Sequence, residues 1–555
     1  MSKTMEQPSR PFIPYSLCVL LFVCLWLHVF IARSATLDTV LIHILGICAL
    51  AALGFWYVQH AHTSIMTVGV ALLLLVIILI RSFFIYDSQM ASVNLLESTS
   101  VHDFELVVSR DLVYKNHAWT GQASVFYQGG CIGSVGIHAK EPFLRETHLC
   151  CEGRFARYKD KEFSDEQFKR GVLGSIQITK VNSTTHDEGI IGEVAQFRES
   201  CISQLQPEVS FGRALAACGL CAYRPSLYSF NIPRIFMRCG LMHLIAISSC
   251  HMVILSTFID ALLKKLTLKP LLRGVLNLFL LSSYALFCGL PASAIRAILL
   301  VEQKYVMQCV GRKQHTLSAV STLALLMLCV DPQLSVNIAF TLSLACIFGM
   351  NIYGGLAQYY AKIAFHVSGY GKVQKALRKP FSHVRNTMCA TTVAQLSCLP
   401  ISCVYFGHFS LLAPLSSALI TSLFSLLSLF GIGAIVFSGF KPVQEIALFL
   451  VDSLGQFTET LASFLSERSF ASVSLTDMSW IVSLAVFAAM VALYLFWPKG
   501  KRAVLVGICS MAVMLILGLS IYWRFFSPTR ICVMDIGQGD AILLSDGAHS
   551  LLVDT

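Results

Sequence analysis

Two stretches near the start of the chain carry no charged side chain at all, Phe12 to Ala32 and Thr39 to Ile80. A bilayer core about 30 Å thick is crossed by roughly 20 apolar residues in a helix. The first stretch therefore holds one span and the second holds two. A water-soluble domain cannot bury runs of that length on every face, so lipid is the solvent they are built for. The first run lacks a small-residue cleavage site and is followed directly by more apolar spans, which separates it from a removable signal peptide.

The rest of the chain extends this reading. Hydrophobic residues make up 55% of the 555 and charged residues 13%, about half of the roughly 25% usual in soluble proteins. Further spans are expected near 239–260, 271–290, 292–310, 316–331, 334–355, 386–406, 410–438, 475–497 and 503–523, roughly a dozen helices in all. The segment 410–438 reads as one long helix or as two broken ones. The expected fold is a polytopic α-helical membrane protein, with three N-terminal spans in 1–86.

Between the third span and the fourth the character changes. Residues 87–208 carry 12 Lys/Arg against 17 Asp/Glu, a net of −5, which leaves +15 for the remainder of a chain at +10. Alternating runs at Ala123–Tyr127, Ser134–His138, His148–Phe155 and Gly174–Thr179 read as short strands. Residues 87–200 are therefore expected to form a small extracytoplasmic β-rich domain, OB-like in class, although periodicity alone does not separate that from another small barrel.

Basic residues set the orientation. Lys3 and Arg10 precede the first span, and three crossings then place the small domain outside. Lys264, Lys265, Lys269 and Arg273, then Arg312 and Lys313, then the basic linker 362–385, all fall on the inner side of one topology. Lys499, Lys501 and Arg502 also favour the inside, which demands another crossing within 410–470. The segment Pro442 to Leu465 is the natural place, but Glu445, Asp452 and Glu459 give it an interfacial or re-entrant character.

Most of the twenty cysteines lie in spans, where they serve as small packing residues. Cys131, Cys150 and Cys151 belong to the outside domain, where a bond from Cys131 to Cys150 or Cys151 is a candidate disulfide. Cys218 and Cys221 form a lone CxxC without a partner pair, and no metal site is expected there.

Polar groups within spans are costly and face a protein interior, a partner or a water-filled path. His243, Ser248 and His251 fall on one broad face of a helix over 240–252. Arg296 lies just inside its span, close enough to the end to snorkel. Asn337 and Ser343 follow Asp331-Pro332, and Gln395 sits in an otherwise apolar helix. Each one alone reads as an interhelical hydrogen-bonding residue. Together, on different helices, they point to an internal hydrophilic path.

Several of these runs resemble the ComEC-type competence proteins. LMHLIAISSCHMVIL at 241–255 is similar to the family's HLLAISGLHV helix, with Ser249 in place of its glycine. LPASAIRAILL at 290–300 resembles its PSxxRA segment, and NIAFTLSLACIFGM at 337–350 resembles its GFQLSFxAVLGI segment, with Asn337 and Thr341 replacing more usual residues. TTVAQLSCLPISCVYFGHFSLLAP at 391–414, which contains His408, is similar to AQLATLPLxxYHFGxFS. DEQFKRGVLGSI at 165–176 matches the family's outside domain. The run beginning ICVMDIGQGDA at 531 resembles the first strands of its metallo-β-lactamase-like domain, through Asp535, Gly537, Gln538, Gly539 and Asp540.

The resemblance implies a channel domain over 201–525 that passes single-stranded DNA through the bacterial cytoplasmic membrane during natural transformation. His243, Ser248, His251, Arg296 and Gln395 would line or shape the path. The lipid bilayer, a DNA receptor and a cytoplasmic motor are the implied partners, with an oligomer compatible. Residues 526–555 would be a truncated start of the hydrolase domain. The family's HxHxDH metal motif would follow Asp554, and the chain stops at Thr555, so the expectation is a channel rather than an enzyme, without cofactor or metal. Two other readings fit the same residues: a polytopic transporter or scaffold that moves no DNA, and a membrane-anchored metallohydrolase whose catalytic part is missing from this chain.

Overall fold

The computed structural model describes residues 9–30, 37–60, 65–98, 103–115, 118–127, 130–186, 189–245, 249–311, 315–364, 372–406, 408–468, 472–474, 479–498, 530–535, 540–546 and 549–553. It is about 70% helical. Three helices come first: α1 (Tyr15–Phe30), α2 (Leu37–His60) and α3 (Ile65–Ser98). Tyr15, Val19, Leu20 and Val23 of α1 pack on Leu75 and Ile78 of α3 in one buried cluster. At 34 residues α3 is about 51 Å long, far more than a bilayer core requires. Its surplus turns stand against the outside domain, where Ser92 Oγ donates to Ile132 O at 3.1 Å and Glu97 pairs with Arg157 at 2.6 Å.

That domain contains β1 (Asp103–Val108), β2 (Val113–Lys115), β3 (Ala118–Tyr127), β4 (Gly130–Ala139), β5 (Thr147–Ala156), α4 (Lys161–Lys169) and β6 (Val172–His186). All four strands expected from alternation fall within β3 to β6. The pairing is cyclic, β1 to β3, β4, β6, β5 and back to β1, with β4–β6 parallel and the other pairs antiparallel. Leu106, Val108, Ala123, Val125, Val135, Ile137, Leu149 and Ile176 fill its interior. Closing the ring hides strand edges that would otherwise invite pairing with other chains.

The register corrects the candidate disulfide. Cys150 lies opposite Glu105, Glu105 opposite Phe126, and Phe126 opposite Cys131. The other way round the ring, Cys150 lies opposite Ser183 of β6 while Ser134 lies opposite Val172, so Cys131 and Cys150 fall near opposite ends of β6, whereas a disulfide needs Cα atoms within about 7 Å. Cys131, Cys150 and Cys151 are free thiols, with the Cys151 side chain buried.

The remaining helices are α5 (Ile190–Leu205), α6 (Phe211–Cys221), α7 (Pro225–Ser229), α8 (Ile232–Cys239), α9 (Met242–Ile245), α10 (Ser249–Lys265), α11 (Pro270–Phe287), α12 (Ala292–Cys309) and α13 (Thr316–Val330). A 3-10 turn over Pro332–Val336 leads into α14 (Ile338–Ala364) and α15 (Lys372–Phe406). Then come β7 (His408–Ser410), α16 (Ala413–Val436), α17 (Lys441–Ser466), β8 (Ser472–Ser474) and α18 (Ser479–Leu495). The last described part is an antiparallel meander of β9 (Arg530–Asp535), β10 (Asp540–Asp546) and β11 (His549–Val553).

Among the described residues, five helices are long and apolar enough to cross a bilayer: α3, α11, α14, the Val384–Phe406 part of α15, and α16. Others expected as spans are shorter or charged, such as α12 with Arg296, Glu302 and Lys304; 503–523 lies outside the described residues. Segment 410–438 resolves into the single helix α16. The acidic helix α17 is built into the bundle beside α16 and α6. Its Asp452, one of three acidic residues that give the helix its interfacial character, accepts from Ser210 Oγ at 2.5 Å and from Arg213 Nη2 at 2.7 Å.

Candidate functional site

The span expected over 239–260 begins where helix α8 ends. Helix α8 stops at Gly240, whose φ of +71 is left-handed, and Leu241 N–H donates back to Phe236 O at 2.7 Å. This is a glycine C-cap, which ties up terminal carbonyls and ends the helix. A Cβ on Gly240 would strike Ala413 and lie 3.0 Å from Ser410 Cβ. The chain then resumes as α9 and α10.

Two hydroxyls close the break. Ser410 Oγ donates to Arg238 O at 2.8 Å, and Ser416 Oγ donates to Cys239 O at 2.6 Å. Ser410 reaches this point because the chain turns back on leaving α15. Its carbonyl accepts a hydrogen bond from Gln395 Nε2, eleven residues before the end of that helix. The three residues of β7, about 10 Å of strand, therefore run back alongside the last turns of α15, and the Gln395 side chain reaches up to meet them. It pairs with β8, His408 facing Ser474 and Ser410 facing Ser472. Non-helical backbone beside a spanning helix is tolerated only where protein buries it or it borders a watery cavity. Here a glycine break, a two-stranded ladder and an intrahelical glutamine converge.

A second polar row crosses the bundle next to it. Arg296 of α12 has no exposed surface and donates to Ser343 Oγ of α14. One residue before Ser343 on α14, Leu342 O accepts from Cys398 Sγ of α15 at 3.3 Å. Arg296 therefore turns inward to α14 instead of snorkelling from the end of α12, and no solvent reaches it in this arrangement.

The other residues singled out in the sequence fall as follows. His243 lies on α9 with an exposed side chain, just beyond the glycine break. His251 lies in α10, and Ser248 lies outside the described residues. Asp331 Oδ1 accepts from Gln333 N–H at 3.0 Å, and Pro332 opens the 3-10 turn. Asn337 Oδ1 accepts from Ala339 N–H at 3.0 Å and Phe340 N–H at 3.3 Å, which starts α14. Asp535 and Asp540 face each other as the last pair of the β9–β10 hairpin; Gly537, Gln538 and Gly539 lie outside the described residues. Among the described residues no three His, Cys, Asp or Glu side chains gather as a metal cluster.

Sequence reasoning passed over Gly240, Ser410 and Ser416. The signal for Gly240 was present: the short amphipathic run Ile232–Cys239 has proline at its second position and is followed by glycine, which is a helix-stop pattern. The two serines had none, since both latches join segments more than 170 residues apart.

The β-rich domain meets the helices through arginines. Arg198 of α5 donates to Asp111 at 3.0 and 2.5 Å and to Cys221 O at 2.7 Å. Burial alone would lower its pKa, but the hydrogen bonds and charge of Asp111 hold the guanidinium above its ordinary value. Arg145 donates to Leu286 O and Phe287 O, each at 3.2 Å, at the C-terminal end of α11 where a cation is favoured.

A family model described as competence protein matches residues 226–500. The chain is 26% identical over 364 residues to "Competence protein ComA" of Neisseria gonorrhoeae, covering 63% of this chain and 47% of that protein. It is 20% identical over 405 residues to "ComE operon protein 3" of Bacillus subtilis (strain 168), covering 71% and 49%. The chain thus spans about half the length of the curated relatives it matches. No solved structure matches it. With its apolar spanning helices and these relatives, the chain is a multi-pass membrane protein that belongs to the ComEC-type competence family.

Proposed function

We propose that this protein passes a single DNA strand across the bacterial cytoplasmic membrane during natural transformation. The observation that carries the reading is the convergence of the Gly240 break with the β7–β8 ladder beside Gln395. A phosphate backbone carries a full charge per nucleotide and must be kept from lipid. Broken helices are where membrane transporters place polar backbone and binding sites. On this reading His243, Ser248, His251 and Gln395 border the path. Arg296, sealed against Ser343, braces α12 on α14 and sets the position of the wall. The outside domain is read as OB-like, supported by its five-strand cyclic pairing with one parallel pair. The β9–β11 meander is read as the opening strands of a metallo-β-lactamase-like domain, supported by the DxGQGDA run.

Import of labelled DNA by a deletion strain tests the proposal. Complementation with the wild-type gene restores import, while Gln395→Leu restores less at equal membrane abundance. Unimpaired import in the deletion strain would overturn the channel reading and leave a transporter or scaffold of another kind.

A further inference from the structure

The seat of the outside domain holds more positive charge than it uses. Asp111 is fully engaged, by both terminal nitrogens of Arg198 and by the backbone N–H of Arg145 at 3.0 Å. Glu146 lies 3.5 Å from Arg145. Two further arginines flank this network. Arg110 directly precedes Asp111, and Arg224 lies three residues past Cys221, so the single guanidinium of Arg198 ties their two segments together. Strand β2 packs on α7 at the same place.

Arg110 and Arg224 are both exposed, and among the described residues neither guanidinium has a hydrogen-bond or carboxylate partner. Desolvation first, and the charge of Arg224 second, lower the pKa of Arg110. Two guanidinium groups on segments that Arg198 joins, with Asp111 already taken, are suited to sharing an anion. Tyr114 of β2, the strand that packs on α7, is exposed, its ring 5.4 Å from Trp119 and tilted. A guanidinium pair next to an exposed aromatic face is the pairing of groups that holds single-stranded nucleic acid, phosphate on cation and base on ring. The contrast lies across the domain, where Arg157 is already paired with Glu97.

We infer that Arg110 and Arg224, with Tyr114, form a contact site for the backbone and bases of single-stranded nucleic acid at the outer mouth. The inference rests on the proposed function, and it adds a position for the strand before it enters the helices.

The test is fluorescence anisotropy of a labelled oligothymidylate with the full chain in detergent, titrated across salt concentrations. For two phosphate contacts on a single strand, the Arg110→Ala/Arg224→Ala double variant is expected to reduce the log–log salt slope by about 1.4. Affinity falls about tenfold or more at low salt, and the paired Arg→Lys variant keeps the slope. Tyr114→Ala weakens binding about fivefold or more at an unchanged slope. An unchanged slope and affinity in the double variant would overturn the site. Arginine-dependent binding of heparin without binding of the oligonucleotide would overturn its assignment to nucleic acid. The readout is binding, so it is separate from strand import, which the deletion strain measures.

Discussion

Gly240 shapes the candidate path more directly than any charged residue near it. Its left-handed φ costs a residue with a Cβ about 1–2 kcal/mol, and the added atom would also collide with Ala413. Gly240→Ala is therefore expected to lower the melting temperature of the detergent-solubilised protein and to reduce DNA import. An unchanged melting profile would mean that α16 yields freely at Ala413. Arg296 is the opposite case, a charge whose function is position. Ser343→Ala removes an acceptor from a guanidinium that has no exposed surface, a loss of about 1.5–3 kcal/mol for a hydrogen bond to a charged group. Thermal denaturation of the two proteins side by side reads that difference directly.

At the scale of elements, close packing explains what hydropathy misread. Helices α6 and α17 meet at Gly212 and Gly455, where a Cβ on either would land on the other's backbone. Small residues let backbones approach in this way, and the approach brings Arg213 within reach of Asp452. Gly455→Val should force the helices apart and reduce accumulation of the protein in membranes, measured by quantitative blotting. The strands of the outside domain and most helices were legible, because period-2 alternation and uncharged runs are local signals. The return of β7 was not, because an apolar run looks the same whether it crosses or doubles back; the stop at Gly240 was signalled but passed over. The cysteines were misjudged for a related reason: spacing along the chain says nothing about how many strands intervene around a ring. The register leaves Cys150 facing outward, while burial pushes the Cys151 thiol up to about 11. Impermeant maleimide at pH 8 should label a single-cysteine version retaining Cys150 and leave one retaining Cys151 unlabelled. Equal labelling would contradict the barrel register.

At the scale of the molecule, the outside domain is held from three directions. The outer turns of α3 support one side, Gly171 abuts Gln333 of the 3-10 turn on another, and the Asp111–Arg198 pair fixes a third. Only the last is a buried ion pair, with the two side chains 7% and 4% exposed. Removing one member of such a pair leaves an uncompensated charge at a cost of about 3–5 kcal/mol. Because Arg198 also holds Cys221 O, that cost falls on the junction, while the hydrophobic interior of the barrel keeps its own contacts. Asp111→Ala is therefore expected to loosen the domain without unfolding it. Limited digestion with a glutamyl endopeptidase should cut after Glu188 several times faster than in the parent and leave the barrel intact on the N-terminal fragment. Random degradation of that fragment would show instead that the barrel depends on its seat for stability.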